Sequence, residues 1–86
     1  MIFLPAETAA EFITLNKNSI TKMVERVCIQ HNILAEIPDI NQCVLIDIVK
    51  NWTKIYPWMK EPEKLNVRMY EICRNLSYNA VKKLPK

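Results

Sequence analysis

Not one glycine occurs in the 86 residues. At an average usage of about 7%, roughly six would be expected. Glycine supplies the positive φ on which tight hairpin turns, bulges and phosphate-cradling loops rely. A chain without it is poorly suited to hairpin sheets, P-loops and dinucleotide-binding turns. Helices joined by proline- and asparagine-marked loops remain. The expected fold is all-α, a small bundle of three to four helices at about 5–15, 19–31, 39–56 and 62–83, in a single domain spanning 1–86.

Hydrophobic spacing places those helices. Pro5 suits a first helical turn with Glu7 near its positive end, and Ala9, Phe12, Ile13 and Leu15 give a short apolar face. Asn16-Lys17-Asn18 reads as a turn. Ser19 is a good N-cap for Ile20, Met23, Val24, Val27 and Cys28 at i, i+3, i+4, i+7 and i+8. Asn32 suits the left-handed residue that closes a helix. Ile33–Pro38 reads as extended, with Ile37 pushed from the helical region by Pro38. Asp39 would cap a third helix whose stripe is Val44, Leu45, Ile48, Trp52, Ile55 and Tyr56. The β-branched residues there suit a strand, but the 3/4 spacing persists for nearly three turns and favours helix. Pro57 would end it and Pro62 would start a fourth, with stripe Leu65, Met69, Ile72, Cys73, Leu76 and Ala80 and with Lys82 and Lys83 at its negative end.

Half of the residues are hydrophobic and 24% are charged, a globular balance. The net charge of +3 is unevenly spread: residues 1–43 carry three basic and five acidic side chains, residues 44–86 nine and four. The C-terminal half therefore suits an acidic partner. Three cysteines without a C-x-x-C pair, an N-terminus unlike a signal peptide and the lack of any long apolar run suggest free thiols and a cytoplasmic chain with no membrane span.

The aromatic turn Tyr56-Pro57-Trp58-Met59-Lys60 is the first candidate site. An aromatic on a proline-stiffened loop loses little entropy on binding, and Trp and Tyr commonly anchor interfaces. The competing reading has Trp58 folding back as a lid on the core. With Lys64 and Arg68 on the adjacent edge, Tyr56, Trp58, Met59 and Lys60 form the expected partner-binding set, Trp58 as anchor and the cations as steering groups. A second candidate is phosphate contact by Lys50, Asn51, Lys54, Lys60 and Lys64, which gives a helix-turn-helix nucleic-acid reading. Interleaved Glu61, Glu63 and Glu71, with Arg68–Glu71 and Glu71–Arg74 pairs, favour a solvated mixed-charge face instead.

Cys28, His31, Cys43 and Cys73 are a legitimate zinc set by residue type, but they lack the paired short spacing of structural zinc sites. Cys43 and Cys73 lie on or beside apolar stripes, as small hydrophobes do. No metal or other cofactor is expected. The single histidine, His31, has no orienting group or oxyanion cradle near it in sequence, and Glu7 with Glu11 suits a solvated pair. The expectation is therefore a non-enzymatic binding module, a protein–protein adaptor or small regulator of the kind viruses and plasmids carry. Nucleic-acid binding is the alternative, and homodimerisation through the apolar excess Val44–Val49 is a third reading.

Overall fold

Thr8, rather than Pro5, starts the first helix. A computed structural model describes residues 3–83, and in it α1 spans Ala9–His31. The Thr8 Oγ1 accepts the Glu11 N–H at 3.1 Å, satisfying one of the donors a helix start leaves open. The helix runs without a break through Asn16-Lys17-Asn18, so the two helices expected at 5–15 and 19–31 are one element and Ser19 is no cap. The reason is tertiary: Asn16 is 1% exposed, and its side chain bonds to the chain segment before the helix rather than to a local turn. At the other end the expected closure holds. Asn32 has φ 56°, and the N–H groups of Asn32 and Ile33 reach the carbonyls of Ile29 and Cys28 at 3.2 and 3.0 Å. Ile33 is buried there, completing a Schellman-type end.

A 3₁₀ turn, Leu34–Glu36, leads into α2, Ile37–Lys50. Ile37 is therefore helical, not extended, and Asp39 lies inside the first turn instead of capping it. Pro38 is tolerated because the N–H it lacks would have no partner at a helix start. The helix expected at 39–56 is interrupted at Asn51, where φ is −109° and ψ is 23°. The Asn51 N–H bonds to the Asp47 carbonyl at 2.9 Å, and its Nδ2 donates to the same carbonyl and to Asp47 Oδ1 at 3.1 and 3.0 Å. A short α3, Trp52–Ile55, follows, then a 3₁₀ turn over Tyr56–Lys60. Pro62 opens α4, Pro62–Lys83, as expected. The Lys83 side chain lies outside the described residues. No strand occurs among them, so the β-branched run of α2 is helix.

The three long helices each pack against the other two. The core takes Ile20, Met23, Val24, Val27 and Cys28 from α1, Val44 and Ile48 from α2, and Leu65, Met69 and Cys73 from α4. Those are the stripes that helical spacing picks out. The core also takes Phe3 and Ala6, which precede every helix. A Tyr70 hydroxyl to Gln30 Oε1 bond of 3.2 Å ties α4 to α1. No helix among the described residues is long and apolar enough to cross a membrane.

Candidate protein-docking surface

Four rings run from the core to the surface at one end of the bundle. Phe3 stacks on Phe12 with centroids 6.2 Å apart, Phe12 meets Trp52 at 5.7 Å, and Trp52 meets Tyr56 at 6.0 Å. Offset and tilted geometries of this kind are favoured by the ring quadrupoles. The series fixes the start of the 3₁₀ turn: Trp52 is half-buried, and Tyr56 emerges at 40% exposure.

The Tyr56 hydroxyl donates to Glu7 Oε2 at 2.8 Å, joining residues 49 apart in sequence. That hydrogen bond, and then the carboxylate charge, favour the protonated phenol and push its pKa above the ordinary value. The contact closes one side of a shallow cleft of about 290 Å³. Pro5, Ala6, Glu7 and Glu11 form one wall, and Tyr56, Met59 and Lys60 the other. The cleft is thus acidic on the N-terminal side and basic on the turn side.

Trp58 is half-buried against the core, so in part it is the lid that the competing reading describes. Its ring carries the Arg68 guanidinium, 5.9 Å from the centroid. Arg68 Nη1 also sits 3.3 Å from Glu71 Oε2, the i, i+3 pair that the spacing suggests. Lys64 Nζ lies 3.3 Å from Glu61 Oε1. Both pairs are solvent-exposed, where such contacts contribute little to stability, about 0–1 kcal/mol. Lys60 is exposed and has no acidic partner among the described residues. Met59 is only 9% exposed and belongs to the core, so its side chain supports the turn from beneath.

The other candidate sets are dispersed. Lys50 and Lys54 are exposed, while half-buried Asn51 spends its amide on Asp47. Cys28 and Cys73 are fully buried, Cys43 is exposed, and His31 meets the Tyr78 ring edge-on at 5.1 Å. No group of three or more potential metal ligands gathers among the described residues. Burial pushes both inner thiols up, Cys73 to about 12.

Spacing arguments pick out the turn side of the cleft and miss its N-terminal wall. One local signal was available: Thr8-x-x-Glu11 has the pattern of a capping box, which moves the helix start past Glu7 and frees residues 3–7 to fold back. Comparison with known proteins finds no matching family model, no matching curated protein and no matching solved structure.

Proposed function

We propose that this chain is a non-enzymatic binding module that docks an acidic segment of another protein on Tyr56, Trp58, Lys60, Lys64 and Arg68. The observation that carries the reading is the Arg68–Trp58 stack beside two further exposed cations, Lys60 on the proline-stiffened turn and Lys64 in the first turn of α4. An aromatic face held by a guanidinium is preorganised, so little side-chain entropy remains to be lost on docking. A partner carboxylate competes with Glu61 and Glu71 for Lys64 and Arg68 at little cost, because both existing pairs are exposed. Met59 supports this surface rather than touching the partner.

The test compares proteins captured from the native host by the wild-type chain and by a Trp58→Ala/Lys60→Glu double variant. Both must first show the same helical circular dichroism. Loss of a wild-type partner from the variant supports the reading; an unchanged set of partners with the fold intact removes it.

The alternative is nucleic-acid binding by Lys50, Lys54, Lys60 and Lys64, supported by exposed Lys50 and Lys54 without acidic partners among the described residues. Asn51 is a poor base reader while its amide serves Asp47. Salt dependence separates the readings: duplex binding that falls with a log–log slope of about −0.9 per phosphate contact favours the alternative.

A further inference from the structure

Helix α2 sends Val44 and Ile48 into the core and leaves a second apolar set outside. Ile46 is 47% exposed and Val49 58% exposed, with Leu45 half-buried beside them. Gln42 extends this outer strip, and it is exposed and uncharged. Spacings of three and four residues put Gln42, Ile46 and Val49 on one face of α2. Asp47, the charged residue within the strip's span, is half-buried and engaged with the Asn51 side chain. At about 1.5 Å per residue the fourteen-residue helix is roughly 21 Å long, and the strip from Gln42 to Val49 covers about half of it.

The ends of the strip are charged in opposite senses. Asp39 and Lys50 are both exposed and neither has a salt-bridge partner among the described residues. They lie eleven positions apart, close to three turns of about 3.6 residues, so they share one flank of α2. Consider two copies of α2 laid face to face and antiparallel, related by a two-fold axis across the helices. That operation preserves the flank and exchanges the ends. Each Asp39 then faces the Lys50 of the other copy, while the two Ile46 side chains meet near the axis and each Val49 lies nearer an end of the contact. A surface that matches itself under a two-fold rotation is what an isologous dimer requires. Antiparallel helices also oppose their dipoles favourably.

We infer that the outer face of α2 is a self-association surface, and that its occupant is the α2 of a second copy in antiparallel register. None of its residues belongs to the Tyr56–Arg68 docking set, so both surfaces can be occupied at once. One helix pair is a small interface, so the dimer belongs to the weak class.

Sedimentation equilibrium across about 10–500 µM tests the inference, the range suited to a weak interface. The wild-type chain is expected to show a concentration-dependent monomer–dimer equilibrium. Ile46→Glu buries a charge at the two-fold axis and is expected to raise the dissociation constant at least about tenfold. Its helical circular dichroism should stay unchanged, because the side chain stands outside the fold. Lys50→Asp alone places two like-charge pairs in the dimer and is expected to weaken it about fivefold. Adding Asp39→Lys to that variant restores the pairing in reversed sense and should recover most of the loss. A wild-type chain that stays monomeric throughout overturns the inference, as does a dimer indifferent to Ile46→Glu. A dimer broken by Ile46→Glu but not rescued by the charge swap overturns the antiparallel register.

Discussion

Asn16 holds Leu4 by both of its backbone polar groups. The Leu4 N–H donates to Asn16 Oδ1 at 2.7 Å, and Asn16 Nδ2 returns a bond to the Leu4 carbonyl at 2.9 Å. The same Nδ2 reaches the Phe12 carbonyl at 2.8 Å. An asparagine amide has the same donor–acceptor pair as a peptide unit, so one side chain takes the place of a neighbouring strand. The grip lets Phe3 enter the core and sets Glu7 within reach of Tyr56. The acidic wall of the candidate site therefore depends on a residue that lines no part of it.

Asn16→Ala should lower the unfolding free energy by about 2–4 kcal/mol, since it removes two part-buried hydrogen bonds to Leu4 and a buried one to Phe12. Asn18→Ala, at an exposed position of the same helix, should change it by less than about 0.5 kcal/mol. Urea titrations followed by circular dichroism measure both. Native-state hydrogen exchange adds a local readout: the Leu4 amide should lose its protection in Asn16→Ala. Equal stabilities for the two variants would show that the clamp contributes nothing.

Phe3 is 1% exposed and stacks on Phe12, whereas its neighbour Leu4 is 51% exposed. Phe3→Ala should cost about 3–4 kcal/mol through lost burial and a residual cavity. Leu4→Ala should cost under about 0.5 kcal/mol, because the clamp uses only the Leu4 backbone. A small effect at Phe3 would mean that the arm is not part of the core in solution.

The core faces of the long helices are legible in the chain because a period near 3.6 is a local property. Val27, Val44, Ile48, Leu65 and Met69 are found inside, where their spacing places them. The left-handed Asn32 is legible for the same reason, since it needs only the helix it terminates. Asn16-Lys17-Asn18 misleads because the turn preference of asparagine is also local, while the partner that overrides it is Leu4. Met59 is missed differently. Ending the helix at Pro57 cuts off the stripe before Met59, which sits four residues after Ile55. Proline early in a new 3₁₀ turn lacks an N–H that the turn does not use, so the chain continues and Met59 is buried. The Glu7–Tyr56 contact spans 49 positions, and no pattern within either segment announces it.

The three thiols should differ sharply in reactivity. Cys43 is exposed, while Cys28 and Cys73 are fully buried with raised pKa values. Thiolate is the reactive form and needs access to reagent. With an aromatic disulfide reagent near pH 8, one thiol per chain should react quickly in the native protein and three in denaturant. Cys43→Ser should abolish the fast phase. Two fast thiols in the native chain would contradict the burial of the inner pair.

Cys73 also predicts how the fold responds to alkali. Burial, and then the nearby Cys28, push its pKa from the ordinary 9.0 to about 12. A thiol whose pKa is higher folded than unfolded contributes stability that is fully present below the unfolded value and lost as pH rises through the folded one. The loss should therefore begin near pH 9 and continue to about 12. The phenol of Tyr56, held protonated by Glu7, acts in the same direction. Cys73→Ala separates these contributions. It should cost about 1–2 kcal/mol at pH 7 from lost packing, and then lose less stability than the wild type between pH 8 and pH 10.5. Urea midpoints at the two pH values give the comparison. If wild type and variant lose the same amount, the buried thiol of Cys73 is not the group that titrates, and the alkaline response belongs to groups such as Tyr56 or Cys28.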